Sequence, residues 1–329
     1  MAATDFVRSA SQPPTWSHWL RHEVVLALIL ALSLLLLATQ TDRFLTTENL
    51  LNQGRLMAEV GLVALPMTFI IITAGIDLSV GSILGLTAIV LGVSWKTVGL
   101  PLEAAMFVAL AVGTSAGFVN GWFITRVNVP PLIMTLASLA LYRGLAEGIS
   151  QARSVRGYPE WFFALGQGEI LGIPTQLWIL FSAIIIAWLL LAYTVFGRCL
   201  YAIGHNETGA RFSGIAVDRY KMIIYTASGF MASLAGCIFV SRVSTTRSDM
   251  GMGLELDVIA AVVLGGTSIF GGVGTIAGTV LGFIMIQLLK NGLSLTGVKG
   301  DATIIVIGSV LILSILLTNF IQHRRGGNE

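Results

Sequence analysis

Charge is what this chain has least of. Of 329 residues, 17 are Asp or Glu and 19 are Lys or Arg, 11% in all, against about 25% in a soluble globular chain. With 55% of residues hydrophobic and a mean hydropathy of +0.85, the composition is that of a membrane protein. The net charge of +2 is too small to imply a nucleic-acid partner. Cysteine is almost missing as well. Cys199 and Cys237 each sit among apolar residues and read as free buried thiols, which excludes a disulfide framework or a cysteine metal site. The four histidines, His18, His22, His205 and His323, lie in polar stretches and form no HExxH motif or Cys/His cluster. A Walker loop is also lacking. The glycine-rich run Gly265–Gly278, GGTSIFGGVGTIAG, has no lysine and no G-K-[ST] ending, so it is not expected to hold a nucleotide. No metal or cofactor is expected in this chain, and enzymatic activity is set aside.

What is present is long apolar runs. Crossing a bilayer takes about 20 apolar residues, and that ruler gives spans near 24–40, 56–75, 78–94, 102–124, 131–149, 175–196, 220–241, 254–271, 274–293 and 302–321. The expected fold is an all-α polytopic membrane protein of about ten transmembrane helices. The pairs 56–75/78–94 and 254–271/274–293 are divided only by glycine-containing turns, so each reads as two spans or as a span with a broken or re-entrant helix. Residues 1–23 are polar and read as a cytoplasmic segment before a retained first span. Residues 24–321 form the membrane domain and 322–329 a cytoplasmic tail. No loop is long enough for a second domain.

The longest run that is neither a span nor a structureless polar loop is Phe196–Lys221, FGRCLYAIGHNETGARFSGIAVDRYK. Asn206 suits an N-cap, and Glu207 sits in the first turn, where the helix dipole favours an anion. Arg211 lies four residues on, in pairing distance. Gly204 and Gly214 bracket the turn. Such a helix suits docking on another protein; a solvated loop is the plainer reading.

This stretch, with GIDLSVGS at Gly75–Ser82 and AVVLGGTSIFGGVGTIAGTVLG at Ala261–Gly282, resembles the membrane subunit of ribose-, rhamnose- and autoinducer-2-type ABC importers over roughly residues 56–298. The resemblance implies a bacterial inner-membrane permease moving a small sugar inward. Its partners would be a separate ATPase that carries ATP and Mg, a periplasmic sugar-binding protein and a second permease, identical or not. It also implies that the loop 197–219 is cytoplasmic and couples to the ATPase through Gly204, Asn206, Glu207, Ala210, Arg211 and Gly214. The basic residues divide almost evenly between the two faces, so orientation rests on the resemblance.

Two further patterns bear on the route. GIDLSV at Gly75–Val80 and GLELDV at Gly253–Val258 each open an apolar run with a carboxylate two residues after glycine, as an inverted repeat would require, the first at the inner face and the second at the outer. Glycine recurs every fourth residue at 113, 117 and 121, at 274, 278 and 282, and at 81 and 85, either packing helices or shaping a pathway. Polar groups in apolar segments are costly and mark such a pathway. Asp77, Ser79, Asn120, Trp122, Glu255 and Asp257 are its candidates, although Asp77 and Asp257 could equally cap the helices they precede. In the outer loops, Arg153, Arg156, Arg242, Arg247 and Asp249 are candidates for docking the binding protein.

Overall fold

The computed structural model describes residues 44–297 without a break, together with scattered residues between 26 and 39 and between 302 and 309. The expected segments 1–23 and 322–329 lie outside the described residues, as do part of the first expected span and most of the last.

Eleven helices follow one another in the continuous part: α1 Thr47–Ile72, α2 Val80–Lys96, α3 Leu102–Arg126, α4 Pro131–Ser150, α5 Glu160–Gly166, α6 Thr175–Tyr193, α7 Val195–His205, α8 Glu207–Phe212, α9 Val217–Val243, α10 Leu254–Leu264 and α11 Ile276–Leu295. Six of them, α1, α3, α4, α6, α9 and α11, are long and apolar enough to cross a membrane. The only strands among the described residues are two-residue pieces. Val155–Arg156 pairs antiparallel with Thr245–Thr246, and Glu169–Ile170 with Ile173–Pro174.

Local chemistry sets the boundaries. Thr46 caps α1 by accepting from the Asn49 N–H at 3.3 Å. Pro131 occupies the first turn of α4, where a missing N–H costs nothing. Thr275 caps α11 by accepting from Gly278 N–H at 3.0 Å. The expected span 254–271 is not one helix. α10 has 11 residues, about 16 Å at 1.5 Å per residue, half of a bilayer core. It stops at Gly265, and the chain turns through positive-φ glycines at 266, 271 and 272 before α11.

Burial separates centre from rim. In α1, 78% of the apolar window is inside the bundle and in α9 61%, but only 22% in α4 and 28% in α6. α1, α2 and α9 therefore form the core, and α3, α4 and α6 turn apolar faces outward. Two of the glycine rows are the seams of this packing. A Cβ at Gly117 would overlap the Tyr225 carbonyl oxygen and one at Gly229 that of Gly113, so α3 and α9 touch backbone to backbone. Gly278 and Gly282 meet Gly265 and Ala261 in the same way across α10 and α11.

Candidate functional site

At one end of the bundle α7 and α8 form a compact apex. The Asn206 side chain accepts from Gly209 N–H at 2.8 Å, capping α8. Arg211 bonds Glu207 at 3.0 Å and Asp218, at the start of α9, at 2.5 Å, while Lys221 bonds the other oxygen of Glu207 at 2.6 Å. Burial raises the Glu207 pKa, but the Lys221 ammonium and the Arg211 guanidinium outweigh it and hold the carboxyl below its ordinary value. Asp218 and Glu207 in turn hold the Arg211 guanidinium above its own. Beneath these charges Ala210 is buried with Ile203 and Val217. Its side chain holds the apex together and is not offered to a partner. Gly214 is exposed at φ +83°, closing the turn. The apolar residue of α8 that faces outward is Phe212, 90% exposed. Its only signal in the sequence is its place at the end of the short helix that Asn206 opens.

Gly204 points inward, into the bundle. A Cβ there would overlap the carbonyl oxygen of Ile72 at the end of α1 and the backbone N of Gly272. Gly272 N–H donates to the Ile72 carbonyl at 2.8 Å, and Tyr201 Oη donates to the Gly274 carbonyl at 2.6 Å. The base of α7 is thus clasped to both chain breaks, the one after α1 and the one before α11.

Deep in the bundle the break between α1 and α2 holds a polar network. Asp77 Oδ1 accepts from Ser79 N–H at 3.0 Å and from Ser79 Oγ at 2.6 Å, and Oδ2 accepts from Ser228 Oγ of α9 at 2.9 Å. Asn120 of α3 donates to Ser79 Oγ at 2.8 Å and accepts from Ser138 of α4 at 2.6 Å and Tyr142 Oη at 3.3 Å. All six side chains are buried. Asp77 does not cap a helix at Leu78 as expected. It closes a local turn ahead of α2, which starts at Val80, by accepting from the residue two positions on. Trp122 is apart from this network. Two residues along a helix turn the side chain by about 200°, which leaves Trp122 and Phe118 exposed on the outside of the bundle.

Asp257 likewise is no cap. α10 begins at Leu254 behind Gly253, at φ +81°, and Asp257, one turn in, pairs with Lys290 of α11. Glu255 points at the start of α2, where a Cβ on Gly81 would overlap its carboxylate and the Gly251 carbonyl, and its Oε2 is buried without a hydrogen-bond partner. The segments Gly75–Val80 and Gly253–Val258 therefore do not sit at opposite faces as expected. α2 and α10 instead start beside each other, Gly81 lying against Glu255 and the Gly251 carbonyl. Behind them Arg143 of α4 donates to the carbonyls of Ser248, Met250 (2.9 Å) and Gly81 (3.3 Å).

The end opposite α8 carries the expected docking residues. Arg242 is half-buried and bound in two-pronged fashion to Glu59 at 2.7 and 3.0 Å, which removes it from the exposed set. Arg247 pairs with Asp249 at 2.5 Å and both are exposed. Arg156 donates to Thr245 Oγ1 at 3.0 Å, and Arg153 is exposed. Between α1, α9, α10, α11 and the loop 244–253 lies an open cleft of about 490 Å³.

The family model for the branched-chain amino acid transport system / permease component matches residues 49–315. The ribose import permease protein RbsC of Escherichia coli (strain K12) is 40% identical over 310 residues, 92% of this chain and 94% of its own. RbsC of Bacillus subtilis (strain 168) is 42% identical over 277 residues, 83% and 85% of the two chains. The autoinducer 2 import system permease protein LsrD of Yersinia enterocolitica is 34% identical over 308 residues, 92% and 93%. No solved structure matches. The chain belongs to the branched-chain amino acid transport system / permease component family, as a multi-pass inner-membrane permease subunit of an ABC importer whose ATP is bound by a partner ATPase.

Proposed function

We propose that this permease carries a neutral monosaccharide, ribose first among them, inward from a periplasmic binding protein, and that α8 receives the stroke of the ATPase. The observation that carries the reading is the apex: a capped, charge-braced helix with one bare aromatic, clasped through Gly204 and Tyr201 to both chain breaks. Phe212, Asn206 and the Arg211 face would meet the ATPase; Glu207, Ala210, Gly204 and Gly214 hold the apex in shape. Loop 197–219 is then cytoplasmic, as are 1–23 and 322–329, and the membrane domain covers 24–321 with about ten spans.

Several features support an inverted repeat. α1–break–α2 and α9–break–α10 follow one plan, and α2 and α10 start side by side, with Asp77 in the turn ahead of α2 and Glu255 in the first turn of α10. Half-helices that begin inside a bundle are where transporters of inverted build bind their cargo. Two copies would complete the route, since the outward apolar faces of α3 and α4 have room for lipid on one side and a second permease on the other. Arg153, Arg156, Arg247 and Asp249 would face the binding protein.

The test is reconstitution of the chain with its ATPase and binding protein in vesicles, followed by uptake of labelled ribose. ATP-dependent accumulation of ribose is expected. Accumulation of autoinducer 2 or leucine in its place would overturn the cargo, and uptake that persists without the ATPase would overturn the coupling.

A further inference from the structure

The cleft at the end opposite α8 is lined by α1, α9, α10, α11 and the loop 247–252, and it accounts for polar groups that the apex and the buried network do not use. Its walls carry Glu59, Asp257, Lys290 and Gln287, with Arg247 and Asp249 at the rim. Most of these lie in helices otherwise apolar, where a charge facing hydrocarbon is costly. The cleft therefore holds water or a polar solute. Its charges come in matched pairs: Glu59 with Arg242, Asp257 with Lys290, Arg247 with Asp249. The three pairs sum to zero, so the cleft carries no net charge to favour an anion or a cation. Gln287 donates to Gln53 at 3.0 Å, which leaves its own carbonyl oxygen available to a solute. Phe239 and Val60 supply an apolar wall beside these groups. The volume, about 490 Å³, lies within the roughly 300–1,000 Å³ of small-molecule sites.

We infer that this cleft is the entry subsite of the permease for a neutral polyhydroxylated solute. Asp257 and Lys290 take hydroxyls from the charged side, Gln287 takes one from the neutral side, and the C–H face of the ring lies on Phe239. This rests on the sugar-permease reading above and adds the place and the groups.

The test uses the full complex in vesicles with Cys199→Ser and Cys237→Ala as background and Gln287→Cys added. A membrane-impermeant maleimide applied on the binding-protein side should label this cysteine; no labelling would show a cleft filled by lipid or protein and overturn the proposal. Asp257→Asn and Gln287→Leu should each lower the sugar moved per ATP hydrolysed by roughly tenfold, the effect of losing one hydrogen bond to solute. An unchanged ratio in both would overturn the site. The swapped pair Asp257→Lys with Lys290→Asp separates recognition from structure. A merely structural ion pair would be restored by the swap, and full recovery of transport overturns the proposal; persistent loss supports it. If the unmodified complex accumulates no ribose, the cargo reading fails, while the labelling result still reports on the cleft.

Discussion

Phe212 and Gly204 are eight residues apart and do opposite things. Phe212 is almost wholly exposed, so Phe212→Ala removes contact area without touching the fold. Aromatic anchors at protein contacts are worth about 2 kcal/mol or more. Phe212→Ala should therefore weaken ATPase binding at least roughly tenfold with the thermal midpoint of the detergent-solubilised chain unchanged; unaltered binding would remove α8 from the contact. Gly204→Ala drives a methyl into the Ile72 carbonyl, an overpacking cost of about 1–3 kcal/mol. It should lower the thermal midpoint by several degrees, and an undisturbed midpoint would show that the clasp is loose. The sequence made Gly204 legible as a glycine with a purpose but not the purpose, because contact with Ile72 and Gly272 joins residues far apart in the chain. Ala210 misled for the same reason: a small residue on a short helix looks available, and only the fold places Ile203 and Val217 over it.

At the scale of elements, α8 depends on Glu207 more than on propensity, since six residues make no stable helix alone. A carboxyl held below its ordinary value contributes stability that is present above the unfolded pKa, near 4.5, and fades as pH falls through the lower folded value. Amide exchange across 207–218 should thus quicken at acid pH relative to α9, and Glu207→Gln should weaken that dependence, leaving the part that Asp218, also held below its ordinary value by Arg211, contributes. The network at the α1–α2 break makes a different demand. Asp77→Ala leaves Ser79 and Ser228 facing an empty place, at roughly 1–3 kcal/mol for each orphaned group. It should destabilise the chain more than Asp77→Asn, which keeps a carbonyl acceptor; equal melting of the two would mean that the hydrogen bonds contribute little. Helix existence was readable here and helix starts were not. GIDLSV announces a polar break, yet whether Asp77 caps a helix or closes a turn before one is settled by Ser228 and Asn120, on helices more than 40 residues away.

For the molecule as a whole, composition alone declared the membrane, and the long apolar runs gave most of the helices. Composition could not show that α10 is only half a bilayer long, since its apolar run continues into Gly265–Phe270. Nor could a sequence place Glu59 opposite Arg242 or Asp257 opposite Lys290, pairs 183 and 33 residues apart. Paired charges in a membrane bundle are mutually dependent. Glu59→Ala should destabilise by about 3–5 kcal/mol, because Arg242 is left half-buried without its partner, whereas Glu59→Ala with Arg242→Met should recover much of the loss. Thermal unfolding of the three variants checks this, and a double variant no better than the single would refute the pairing.

Arg143 has a consequence for selectivity. One guanidinium ties carbonyls from two separate segments, and those oxygens are neutral ligands that a stronger acceptor can displace. A carboxylate or phosphate reaching that depth would draw the cation to itself and unfasten the strand of backbone it moors. An uncharged traveller leaves the mooring intact, so discrimination against anions would come from the partition behind the cleft as well as from the cleft.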